Sequence, residues 1–365
     1  GPAALRLTRL VEDVRVRAAD KTGGDWTEPT VEEVADGVHR VPLPLPNDGL
    51  RAVNVYVVRD AEGRVTLIDS GWAIPEAREL LVQMLGKLGH TPGDIARFLV
   101  THIHRDHYTL GIALRREFGT KVALGAGERP SLEVILSPGH RPLQRELERM
   151  RRLGAAALAD DLASKVPGPG ALPPVEHFWE LPDEWLEPAR VTVGRRELEV
   201  VPTPGHTNGH VVFHDTAGGL LFAGDHVLPT ITPSIGLEPS GADLPLRNFL
   251  ESLKLVRARP DARLLPAHGS VTDSVHARVD ELIAHHGKRL DQTEAAALAG
   301  ATTAYEIATI LKWTRRERSL EELDQFNQML AIGETGAHLD LLVLQGRLRL
   351  DDSDGVRHYI QGSAS

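Results

Sequence analysis

The sequence predicts an α/β protein that carries a small, mostly helical C-terminal domain, and three observations lead there. Strand-like runs and helical periodicities alternate over residues 31–285. From 286 to 365 the pattern is helical until GRLRLDDSDGVRHYI, which reads as a strand, a DDSDG turn and a second strand. The chain has 365 residues, 41% hydrophobic and 25% charged, enough for one large globular domain and one small one.

Residues 1–30 are set aside as an N-terminal extension, with Gly1 and Pro2 read as the remnant of a cleaved tag. GVHRVPLPLP, AVNVYVV and VTLIDSG follow, each bounded by Gly, Pro, Asn or Asp, and predict an antiparallel start to a sheet. Glu76 to Leu88 has helical spacing and stops at Gly89. RFLV is a short buried strand that runs straight into Thr101 and His102, and a helix is expected to begin near Gly111 before the strand KVAL. Residues 128–188 change character, being helical, rich in Arg, Glu, Leu and Ala, and broken by VPGPG and LPP; they are read as an insertion. Strands resume with RVTVG, LEVVPTPG, HVVFHD and LLFAGD, followed by a helix from Leu246 to Arg259 and the strand RLLPAHG.

Composition removes several classes of chemistry. The chain has no cysteine, so disulfides, thiolate ligands, iron–sulfur clusters and a cysteine nucleophile are excluded, and any metal must be held by nitrogen and oxygen. A net charge of −10 argues against a surface that grips phosphate backbone everywhere, although a local basic channel is compatible with it. The first twenty residues lack the apolar run of a secretory signal, which gives a cytoplasmic expectation, and no apolar run is long enough to cross a bilayer.

The chemistry concentrates in HIHRDH at 102–107, where His102, His104, Asp106 and His107 follow a strand directly. Burying these groups together without a compensating cation would be costly. His206 after TPG, Asp225 after LFAG and His268 after LLPA each follow a predicted strand as well. Strand ends gather distant residues at one sheet edge, and imidazole with carboxylate suits Zn²⁺, Fe²⁺ or Mn²⁺. Asp69 in LIDSG stands at another strand end, where it either supports a ligand or caps the turn before Gly71. Tyr108 either lines the pocket or packs beside the metal loop. Most of the 17 histidines are ordinary; His210 and His226 lie near the site but are not read as ligands, and His140, His177, His214, His276, His285 and His286 lie farther off.

The ordered set HxHxDH, His, Asp, His resembles the metallo-β-lactamase superfamily over roughly residues 35–272, and TPGHTNGH and GDHV are similar to its glyoxalase II and thioesterase-like members. The resemblance implies an αβ/βα sandwich of two mixed sheets with helices outside. It also implies two divalent metal ions, Zn²⁺ first with Fe or Mn as alternatives. His102, His104 and His206 would hold one, Asp106, His107 and His268 the other, and Asp225 would bridge. Asp106 and Asp225 would be the catalytic carboxylates, with Asp69 and Tyr108 in supporting positions.

Residues 286–365 resemble a winged-helix domain, and the combination resembles lactamase-like endoribonucleases. Nine Lys and Arg against twelve Asp and Glu in this tail nevertheless favour packing or homodimer formation over nucleic-acid binding. The insertion is acidic and carries Trp179 and Trp185, which suits a cover over a partly apolar substrate, a dimer surface or plain packing against the main domain. The expected function is therefore hydrolysis of a small acyl compound, a thioester, lactone or ester. A phosphodiesterase or endoribonuclease and a mono-iron persulfide dioxygenase-like enzyme are the alternatives; no membrane partner is expected.

Overall fold

The computed structural model describes residues 24–46, 49–165 and 178–362. Most of the expected N-terminal extension, the VPGPG and LPP breaks and His177 lie outside the described residues.

The first sheet opens with antiparallel strands β1 (Glu32–Ala35), β2 (Val38–Pro44), β3 (Ala52–Arg59) and β4 (Val65–Ile68). It continues with β5 (Ile95–Val100), β6 (Lys121–Gly125) and β7 (Glu184–Leu186), added in parallel in that order. Parallel neighbours need a crossover, supplied by helix α1 (Pro75–Lys87) between β4 and β5 and α2 (Arg105–Phe118) between β5 and β6. Proline at its N-terminus pre-sets the first turn of α1, and Gly119 at φ 70° ends α2 in the left-handed conformation that glycine accepts most easily. The second sheet comprises β8 (Ala189–Val193), β9 (Arg196–Pro202), β10 (Val211–Asp215), β11 (Leu220–Gly224) and β12 (Arg263–Pro266), ordered β12-β11-β10-β9-β8. Only β11 and β12 are parallel, joined across helix α6 (Pro245–Arg257), which is numbered after the three insertion helices below.

Side-chain alternation assigns each strand two faces. In β10, Val211 and Phe213 enter the layer between the sheets while Val212 faces the outer helices; in β4, Ile68 points between the sheets and Leu67 away. Tyr56 meets Phe222 edge-on across that layer, ring centroids 5.5 Å apart. The result is the expected sandwich of helices, sheet, sheet and helices.

The insertion forms α3 (Arg129–Ile135), α4 (Gln144–Arg152) and α5 (Ala156–Lys165), but its last residues are not foreign to the sheet: 184–186 are β7, paired with β6. The tail consists of α7 (Val275–Leu298), α8 (Ala304–Ile310), α9 (Gln325–Leu344) and the hairpin β13 (Leu348–Asp351) and β14 (His358–Gln361). The boundary expected at 285/286 falls inside α7, which runs 24 residues from its Ser274 cap without a break. One hydrophobic cluster joins Phe249 of α6, Leu147 and Met150 of α4, Leu282 and Leu290 of α7 and Leu339 and Leu342 of α9. The tail therefore shares its core with the sandwich. Among the described residues no helix is long and apolar enough to cross a membrane.

Candidate metal centre

His102 follows β5, His206 follows β9, Asp225 follows β11 and His268 follows β12, so the seven residues singled out from the sequence converge at one edge of the two sheets. The helix expected near Gly111 begins at Arg105, which places Asp106 and His107 in the first turn of α2 rather than on extended chain. There Asp106 also lies at the positive end of the helix dipole.

The side chains form two clusters. In the first, Nε2 of His206 is 3.2 Å from Nε2 of His102 and 3.1 Å from Nδ1 of His104, and those two are 3.2 Å apart. Oδ2 of Asp225 completes it at 3.4 Å from His206 and 3.9 Å from His102. In the second, Oδ2 of Asp106 is 3.3 Å from Nε2 of His107 and 3.5 Å from Nε2 of His268. Oδ1 of Asp225 lies 3.7 Å and 3.3 Å from the same two nitrogens. A tetrahedral ion with bonds of about 2.0–2.1 Å separates its ligand atoms by about 3.3–3.4 Å, close to the spacing in both clusters.

The hydrogen-bond pattern points the same way. Each imidazole uses its other nitrogen elsewhere: His104 Nε2 on Leu237 O (2.8 Å), His206 Nδ1 on Ser234 O (2.6 Å), His268 Nδ1 on Ala52 O (2.7 Å), His107 Nδ1 on Asp69 Oδ2 (2.9 Å) and His102 Nδ1 on Thr101 Oγ1 (3.1 Å). Those bonds set the tautomers and leave lone pairs facing inward. Nε2 of His107, Nε2 of His268 and Oδ1 of Asp225 are buried with no hydrogen-bond partner. Burial, then neighbouring rings, holds His102 well below the usual imidazole range and His206 down to about 4, so both are neutral. Burial works against a charge on His268 too, yet Asp225 and Asp106 raise it to about 8, and carboxylates likewise raise His107. This second cluster draws positive charge to itself. Orphaned atoms, converging lone pairs and an N/O donor set all fit divalent cations.

Asp69 sits at φ 63°, strained for a non-glycine, and is held there by Thr101 N–H at 2.7 Å, the Thr101 hydroxyl and His107. Of the two readings of Tyr108, packing beside the metal loop fits: it is fully buried, its hydroxyl donates to Glu180 O at 2.7 Å and its ring stacks on Trp179. His210 is no ligand, since Thr203 Oγ1 meets its Nδ1 at 2.8 Å and its Nε2 accepts the Asp225 N–H at 3.1 Å. It supports the shared carboxylate from behind.

Sequence reasoning missed Glu128, read only as the start of an insertion. It is fully buried and accepts Ile103 N–H at 3.2 Å and the Thr207 hydroxyl, so it ties the His102–His104 turn to the loop after His206. Burial pushes its carboxyl up to about 8, and the nearby Glu238 adds to the effect. The folded state thus keeps a proton that the unfolded chain loses above its ordinary value of 4.5, and stability falls as pH rises toward 8. Glu128→Gln, neutral and of the same shape, is expected to flatten that fall. Thermal unfolding between pH 5 and 8 checks it, and parallel profiles for the two proteins would refute it.

Two clusters of imidazole and carboxylate that could hold metal ions, at the edge of an αβ/βα sandwich, are the arrangement of a metal-dependent hydrolase. The chain belongs to the metallo-β-lactamase superfamily, whose family profile matches residues 48–268. It is 31% identical over 173 residues to the uncharacterized protein YobT of Bacillus subtilis, covering 47% of this chain and 61% of YobT. It is 27% identical over 170 residues to a hydroxyacylglutathione hydrolase of Chelativorans sp., covering 46% of each. The crystal structure of a metallo-β-lactamase family protein from Thermus thermophilus superposes with a TM-score of 0.71 at 26% identity, over 90% of this chain and all of that one.

Proposed function

We propose that the chain hydrolyses a carboxylic-acid derivative, a thioester before a lactone or ester, with two divalent ions held by the two clusters and bridged by Asp225. The observation that carries this reading is that Asp225 gives one oxygen to each cluster. His102, His104 and His206 would hold one ion, Asp106, His107 and His268 the other. When bound, such ions make hydroxide available at neutral pH and polarise a carbonyl. Zn²⁺ is the first choice, and Fe and Mn suit the same donors.

The chain's own groups supply the remainder. Asp106 and Asp225 both face the cleft, where a carboxylate accepts the proton of an attacking water and orients its oxygen at the carbonyl carbon. Asp69 keeps His107 in the tautomer that leaves Nε2 free. The new C–O bond forms as the C–S bond breaks, and the thiolate leaves without a dedicated proton donor. A complete second cluster argues against the mono-iron dioxygenase, which needs only one.

The acyl reading draws on the cleft wall, where Trp72, Val134, Ile135 and Trp179 face the same cavity as His104 and Asp106, and on the relative named for a thioester substrate. Trp185, expected beside Trp179, does not line the cavity; it lies in β7 with the Arg129 guanidinium 4.8 Å over its ring. Trp179→Ala is accordingly expected to raise KM for acyl substrates about tenfold, the worth of a lost aromatic contact, while metal content stays unchanged. The broader test is a panel of acyl thioesters, lactones, bis(p-nitrophenyl) phosphate and single-stranded RNA, with His104→Ala as blank. Cleavage of the phosphodiester or RNA with no acyl compound above the blank would replace this reading with the nuclease.

A further inference from the structure

The cleft is too large for a small ester. Its volume is about 2590 Å³, whereas pockets for drug-sized ligands measure about 300–1,000 Å³. It extends from the metal centre to the tail, and its two ends differ in character. The end beside α2 and α3 carries the apolar side chains Trp72, Val134, Ile135 and Trp179, with the Arg105 guanidinium over the Trp72 ring.

The tail end is cationic even though the tail as a whole is acidic. Six of its nine Lys and Arg line the cleft (Lys288, Arg289, Lys312, Arg315, Arg316 and Arg318), but only three of its twelve acids do (Glu317, Asp324 and Glu334). Two of the six cations are already engaged: Arg315 donates to Thr230 O, while Arg289 lies 4.3 Å over the Trp313 ring and donates to Lys312 O. The side chains of Lys288, Lys312, Arg316 and Arg318 make no hydrogen bond and no ion pair among the described residues. Three of these four lie on one tight turn, closed by backbone bonds of 2.8 Å in both directions between Trp313 and Arg318. Within it Thr314 and Glu317 adopt φ of 65° and 52°. Holding two non-glycine residues there is strained, and such strain persists where the surroundings fix the turn. Trp313 packed beneath and Arg315 clamped to Thr230 fix this one.

Resting on the thioester reading above, we infer that the thiol half of the substrate carries phosphate groups, which bind the wall formed by Lys288, Lys312, Arg316 and Arg318 while the acyl chain lies on the apolar wall. Four cations without a hydrogen bond or ion pair, two of them near the Glu322 carboxylate, match a polyanion rather than one carboxylate, and Lys and Arg are the side chains that bind phosphate as point charge and as fork. On a chain of net charge −10, cations collected here, with Arg141, Arg145 and Lys165 on the same lining, draw an anion into this cleft.

The probe is desulfo-coenzyme A, which bears the phosphates but has no thiol to reach the metal centre. Calorimetry on the full-length, metal-loaded protein is expected to show binding that weakens about tenfold between low and moderate salt. Lys312→Glu with Arg316→Glu is expected to weaken it at least about tenfold further, with metal content and circular dichroism unchanged. In parallel, the same double variant should raise KM for an acyl-coenzyme A at least ten times more, to order of magnitude, than KM for the same acyl group on N-acetylcysteamine. If the N-acetylcysteamine thioester is hydrolysed but desulfo-coenzyme A does not bind, or binds the variant equally well, the phosphate inference falls and the thioester reading stands. If neither thioester is hydrolysed although the probe binds, the thioester reading falls and takes the inference with it. Tighter, Lys312- and Arg316-dependent binding of a single-stranded oligonucleotide would overturn it in favour of a nucleic-acid substrate.

Discussion

Asp225→Ala is expected to lower hydrolysis by about a thousandfold or more and to leave fewer than one metal ion per chain, with the fold retained. The size of the effect follows from position. Oδ2 of Asp225 faces His206 at 3.4 Å and Oδ1 faces His268 at 3.3 Å, so one truncation removes an anionic ligand from both clusters and the only carboxylate from the first. His104→Ala takes a neutral ligand from the first cluster alone and should leave one ion in place. The fold is expected to be retained at lower stability, because burial opposes the Asp225 charge but His268, His107 and His206 more than offset it and hold the carboxyl well below its usual range. Metal analysis of both variants after identical loading, with circular dichroism as the control, decides the matter. Two ions bound to Asp225→Ala, or equal metal loss in the two variants, would show that the carboxylate does not span the clusters.

How far the sequence disclosed this site depended on whether the signal was local. His102, His104, Asp106 and His107 were legible because four ligand-type side chains within six residues are costly to bury together unless a cation joins them, and His206, Asp225 and His268 because each follows a recognisable strand. The start of α2 was not legible: the polar run RDH carries no apolar periodicity, so the helix became visible only from Gly111 onward. Whether Tyr108 faced the pocket depended on that helix phase and on Trp179, far away in sequence. Glu128 gave no signal, since its partners Ile103 and Thr207 are brought to it by two different sheets. The domain boundary was placed inside α7 because the pattern turns there from mixed strands and helices to mostly helical, while the helix itself does not stop. Net charge misled in the tail for a related reason. Counting nine cations against twelve acids says nothing about which of them share a face.

The tail's reach into the metal centre leads to a second large effect: Arg278→Ala with Arg315→Ala is expected to weaken metal binding at the His102, His104 and His206 cluster by about 10- to 100-fold, the usual consequence of losing support behind metal ligands. The loop after Asp225 supplies Ser234 O to His206 Nδ1 and Leu237 O to His104 Nε2, the two bonds that orient these rings. That loop is itself held from the outside. Arg278 of α7 donates to Leu228 O at 2.6 Å and to Ile231 O at 3.1 Å, and Arg315 of the tail turn donates to Thr230 O. Arg278 is the stronger clamp, because its side chain is largely buried and one of its bonds is short. Removing the largely buried Arg278 donor costs about 1.5–3 kcal/mol and the exposed Arg315 donor less, which the shared core can bear, so the chain should remain folded with a lower melting temperature. The second cluster takes its support from Asp69 and Ala52 and should keep its ion. Chelator competition would then release metal from the variant in two separated phases, the weaker one restored by Arg278→Lys, which keeps a donor. Superimposable release curves for the parent and the double variant would mean that the loop holds His104 and His206 without help from the tail.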